Sequence, residues 1–83
     1  MKGNIPDIQQ FIQHFAEQFE EAPEMKLFPE TLLKNVDGWS SLQALIVVAS
    51  FDWEYGVTVT SEELGRIKTI SNLHDLIVSK MTA

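Results

Sequence analysis

From Leu42 to Ala49 the chain carries no charge, and Leu42-Gln43-Ala44-Leu45-Ile46-Val47-Val48-Ala49 is apolar on nearly every side of a helix. An element without a polar stripe must be enclosed by its neighbours or must offer an apolar face to something else. The 83 residues leave little room to enclose it fully, so the sequence predicts a helix that is only partly covered. The pair Val47-Val48 also suits a buried strand, but the length of the run and its lack of alternation favour helix. Its start is marked by Asp37-Gly38-Trp39-Ser40-Ser41, a polar turn that leads into two serines, and its end by Gly56. This frame puts Leu45, Val48, Phe51 and Tyr55 inward and leaves Ile46, Ala49 and Trp53 toward solvent or a partner. Ser41 then sits exposed at or beside the helix N-terminus, where the positive end of the dipole favours a phosphate.

The remaining elements follow from spacing and punctuation. Ile5, Ile8, Ile12, Phe15 and Phe19 recur at helical intervals, with Phe11 and Ala16 widening the stripe, and predict an amphipathic helix from residue 5 to about 21. Pro6 and Asp7 suit its first turn, and Ala22-Pro23 ends it. Glu24 to Val36 reads as a long loop anchored by Met25, Leu27 and Phe28, with Thr31 capping a short turn through Leu32 and Leu33. Val57-Thr58-Val59-Thr60 alternates like a strand, but a lone strand has no partner, so an extended connector is expected. Thr60 and Glu63 have capping-box spacing and open a short helix through Leu64, ended near Gly65. The segment from Ile67 to Ile70 bridges to a last helix from Ser71 that buries Leu73, Leu76, Ile77 and Met81. These elements make one all-α domain over residues 1–83, a four-helix bundle of three longer helices and one short one.

Bulk properties exclude several functions. There is no cysteine, so neither disulfides nor a thiolate metal site support the core. The net charge of -6 repels a phosphate backbone and argues against nucleic-acid binding. No apolar run is long enough to span a membrane, and Met-Lys-Gly-Asn-Ile-Pro lacks a signal-peptide pattern, so the expected location is cytoplasmic. His14 and His74 are expected on polar, solvated helix faces. No pair has metal-ligand spacing, and no Gly-x-Ser-x-Gly elbow accompanies Ser41, so neither a metal site nor a Ser-His-Asp hydrolase is expected. Trp39 is expected to pack against the start of its helix.

Ser41-Leu42, preceded by Asp37-Gly38-Trp39-Ser40 and followed by Leu45, resembles the attachment site of acyl carrier proteins. That family typically reads Asp-Ser-Leu at this point, and Ser40 stands where it usually has Asp. Glu54-Tyr55-Gly56-Val57 is similar to the family's usual exit from its second helix. Glu62-Glu63-Leu64 with Ile67, Thr69, Ile70 and Leu73 resembles its third helix and the approach to its fourth. The likeness runs from about Ile5 to Met81. It implies a stand-alone carrier that is not itself an enzyme, with 4'-phosphopantetheine from coenzyme A attached to Ser41. It also implies as partners a phosphopantetheinyl transferase and the acyl-transferring and acyl-modifying enzymes of fatty-acid, polyketide or other specialised biosynthesis. The expected partner surface is Trp39, Ser40, Leu42, Gln43, Ile46, Ala49 and Trp53, on a monomer. The family's second helix usually carries several acids, whereas the matching segment here has only Asp52 and Glu54, so a more apolar docking groove is expected on the partners. The alternative is a helical adaptor of the same fold with no prosthetic group, which Ser40 in place of Asp leaves open.

Overall fold

The computed structural model describes residues 5–82; the expected extent of 1–83 runs beyond them at both ends, and residues 1–4 and 83 lie outside the description. Among the described residues the elements are α1 (Ile8–Glu17), a 3-10 turn (Leu33–Asn35), α2 (Ser41–Tyr55), α3 (Ser61–Arg66) and α4 (Ile70–Thr82). This is the expected all-α bundle with three longer helices and one short helix.

Helix α1 begins one residue after Asp7, whose carboxylate accepts from the Gln10 amide at 2.8 Å while the Gln10 side chain accepts from the Asp7 amide at 3.2 Å. This reciprocal pair satisfies two of the amide donors that a helix start leaves open. Asp7 is thus the cap and not a first-turn residue, and Ile5 lies outside the helix, half exposed. The expected end near residue 21 is also corrected, because α1 stops at Glu17. A continued helix would give the Gln18 carbonyl to the amide four residues on. Instead it accepts from the Gln43 side chain at 3.1 Å, a tertiary bond that sequence periodicity does not register.

The core is aromatic at its centre. Phe11 and Phe51 stack with centroids 5.1 Å apart, and Phe15 meets Phe19 edge-on at 5.3 Å. Phe11, Phe15, Val47, Phe51, Ile70, Leu73 and Ile77 are fully buried, and each such side chain is worth about 1.5–3 kcal/mol of transfer free energy. Phe11 is therefore the hub of α1 and not the flank of its stripe. Helix α1 lies against α4, and the His74 ring sits edge-on to Phe11 at 5.1 Å.

The long loop is tied down by backbone bonds that join distant parts of the chain. The Leu33 amide donates to the Lys68 carbonyl at 2.8 Å, and the Ile70 amide to the Thr31 carbonyl at 3.1 Å, around an isolated antiparallel bridge of Leu32 with Thr69. The Thr31 hydroxyl accepts from the Phe28 amide at 2.8 Å and so closes the preceding turn instead of capping the Leu32-Leu33 segment. Val57 and Val59 are buried in an extended connector with no strand pairing. The Thr60–Glu63 capping box forms in both directions, and α3 continues through Gly65 to Arg66. Lys80 bonds Glu63 at 3.0 Å and links α4 to α3. Thr69 and Asn72 exchange side-chain bonds with each other's amides at 3.0 and 3.3 Å, which starts α4 at Ile70, one residue earlier than expected.

Candidate functional site

The site is built on the turn into α2. Gly38 holds φ at +86°, a conformation that side chains with a Cβ rarely adopt. The turn closes with the Trp39 amide on the Val36 carbonyl at 3.0 Å. Trp39, half-buried, packs its ring on Phe15 and Phe19 at 5.9 and 6.5 Å and so anchors the helix start to α1. Ser40 is extended, and its hydroxyl accepts from the Gln43 amide at 3.1 Å, making it the N-cap. Ser41 is the first helical residue, exposed, and its hydroxyl has no hydrogen bond with other described residues. The two adjacent serines therefore do different things: the Ser40 hydroxyl closes the helix, and the Ser41 hydroxyl stands at the positive end of the helix dipole.

The expected facing of α2 needs correction. Its buried residues are Gln43, Ala44, Val47, Phe51 and Tyr55. Leu45, expected inside, is 62% exposed, and Val48 only lines the edge of the core. A helix apolar on all sides contains no signal for its own rotation, and the choice is made by aromatic stacking and by the bond from Gln43 to α1. Gln43 is thereby removed from the expected partner surface, since it is buried and its amide is spent on the Gln18 carbonyl. Leu42, Ile46, Ala49 and Trp53 are exposed along one side of α2, with Trp53 at 79%, and Ser40 is exposed beside them.

An open groove of about 670 Å³ runs alongside Ser41, lined by Leu32, Leu33, Trp39, Ser40, Ala44, Leu64 and Ile67 with Lys34 and Lys68. It lies between the start of α2, the tied-down loop and α3. No sequence signal joined the loop to the segment around Ile67 and Lys68 in this groove, because they are brought together by long-range backbone bonds around the Leu32–Thr69 bridge.

The histidines are not solvated as expected. His14 packs against Phe51 and Tyr55 at 5.9 and 5.5 Å, and its Nε2 is enclosed without a hydrogen-bond partner among the described residues. His74 Nε2 lies 2.8 Å from the Pro6 carbonyl oxygen. Both rings belong to packing around the core, remote in role from Ser41. Burial, with a smaller contribution from the Glu54 charge, raises the Tyr55 phenol above its usual range. Among the described residues no cluster of His, Asp and Glu is arranged to hold a metal ion, and no helix is long and apolar enough to cross a membrane.

The sequence matches no family model and no curated protein. The fold is similar to the solution structure of the acetyl actinorhodin acyl carrier protein from Streptomyces coelicolor, with a TM-score of 0.79 at 22% identity over 95% of this chain and 94% of that one. At that identity the likeness is one of fold.

Proposed function

We propose that this chain is an acyl carrier protein with 4'-phosphopantetheine attached at Ser41. The observation that carries the reading is the division of labour between the two serines. A hydroxyl left free at an exposed helix N-terminus is open to a modifying enzyme, while the neighbouring hydroxyl keeps the helix start fixed. A phosphodiester on Ser41 would sit against the unpaired amides and dipole of α2, which favour an anion there. The similarity of fold to an actinorhodin acyl carrier protein supports the same reading.

The arm, when bound, supplies a terminal thiol for thioester linkage to acyl groups. The chain itself contributes position. The cap at Ser40 and the Trp39 clamp hold the attachment point, and the groove beside it offers apolar cover. Tethering raises the effective concentration of a bound intermediate at successive enzymes. No base is required on this chain, because a phosphopantetheinyl transferase carries out the attachment.

The exposed Leu42, Leu45, Ile46, Ala49 and Trp53 supply an apolar surface for acyl-transferring and acyl-modifying enzymes of a specialised pathway in the cytoplasm, with the carrier a monomer. Binding to such an enzyme should depend little on salt, measured by titration at low and high ionic strength. A steep loss of affinity with salt would contradict an apolar interface.

Incubation with coenzyme A and a phosphopantetheinyl transferase tests the central reading by intact mass. Wild type and Ser40→Ala should each gain one phosphopantetheine, and Ser41→Ala none. Absence of any gain would support an unmodified helical adaptor instead.

A further inference from the structure

We propose that the groove beside Ser41 holds an acyl group ending in a second carboxylate, with Lys34 and Lys68 as its cationic edge. The proposal rests on Ser41 carrying the arm. The bond from the Leu33 amide to the Lys68 carbonyl brings the two lysine-bearing segments side by side. Both lysines are exposed, and among the described residues neither has an ion pair, whereas Arg66 pairs with Glu62 and Lys80 with Glu63. No acidic residue lines the groove. In a chain with six basic residues against twelve acidic ones, two unpaired cations on one groove make it a local exception to the repulsion that anions meet elsewhere.

The rest of the groove fits the other half of such a cargo. Leu33 and Ala44 are buried, and Leu64 and Ile67 are half-buried, so they offer apolar walls to a methylene chain. The lysines sit at the solvent edge, where a carboxylate can pair without the heavy desolvation that a fully buried ion meets. A simple fatty acyl group would gain the walls but not the edge.

The test loads Ser41 through the transferase with coenzyme A, hexanoyl-coenzyme A or adipoyl-coenzyme A, whose acyl chains are matched in length and differ in the terminal carboxylate. Intact mass first establishes loading. Cleavage by hydroxylamine, normalised to the same thioester on coenzyme A, then reports shelter of the cargo, and amide NMR shifts report its place. Adipoyl should be protected about threefold more than hexanoyl, the scale of exposed ion pairs, and should move the Lys34, Ile67 and Lys68 amides. The difference should vanish in Lys34→Ala/Lys68→Ala and at ~0.5 M salt, and persist in Lys34→Arg/Lys68→Arg. Equal protection of the two cargoes would overturn the proposal. Movement of the lysine amides by the unacylated arm, without further change on adipoylation, would overturn it too, since the anion held would be the arm's phosphodiester. No mass gain at all would instead remove the carrier reading on which the proposal stands.

Discussion

Replacing each of the two serines separately should split stability from modification. The Ser40 hydroxyl accepts from the Gln43 amide at 3.1 Å and is the side-chain cap of α2, the longest helix of the described chain. Loss of such a cap costs typically about 1 kcal/mol. In a domain of this size that lowers the melting temperature by about 4–8 °C. The Ser41 hydroxyl is exposed and bonds to no other described residue, so Ser41→Ala should stay within about 0.5 kcal/mol of wild type. Ser40→Asp restores an acceptor and places a carboxylate at the positive end of the dipole, so it should match wild type or exceed it by a few tenths of a kcal/mol, roughly. Urea titrations followed by circular dichroism give the comparison, provided the denaturant slope is unchanged among variants. The reasoning fails if Ser41→Ala is the destabilised variant, or if Ser40→Ala melts with wild type.

Two glycines should respond oppositely to alanine. Gly38 adopts φ +86°, so Gly38→Ala should lose about 1–2 kcal/mol. At Gly65, inside α3, an added Cβ meets nothing within 4 Å, and Gly65→Ala should gain about 0.5–1 kcal/mol. Thermal melts of both variants check the pair. Glu63 has its carboxyl held below the ordinary value of 4.5, first by the Thr60 amide and then by Lys80. The folded state thus favours the ionised form, and the contribution is complete above the ordinary carboxyl range and lost as pH falls through the lowered folded value. Denaturation between about pH 6 and about pH 3 should therefore show wild type losing more stability than Glu63→Gln.

The helices were legible from spacing and punctuation, and the start of α3 and the end of α2 were legible because capping chemistry is local. Thr60 and Glu63 announce α3 from three residues apart, and Gly56, at φ +68°, ends α2 where a left-handed residue is needed. The exposed place of Ser41 at the start of α2 was legible for the same reason, since turn, cap and first helical residue are adjacent. What stayed hidden depends on contacts between distant segments. The Gln18 carbonyl is taken by Gln43, which shortens α1, and that same bond buries Gln43 and helps fix the rotation of α2. The packing of His14 and His74 against aromatic rings, and the placing of Lys34 and Lys68 on one groove, likewise depend on tertiary pairing that no local pattern encodes.

The central claim concerns which oxygen bears the arm. The most direct measurement is fragment-ion mapping of the peptide spanning residues 39–45, from protein purified out of cells that express a phosphopantetheinyl transferase. The account predicts phosphopantetheine on Ser41, with Ser40 unmodified. Its presence on Ser40, or an unmodified peptide alongside fully modified carriers in the same cells, would contradict it.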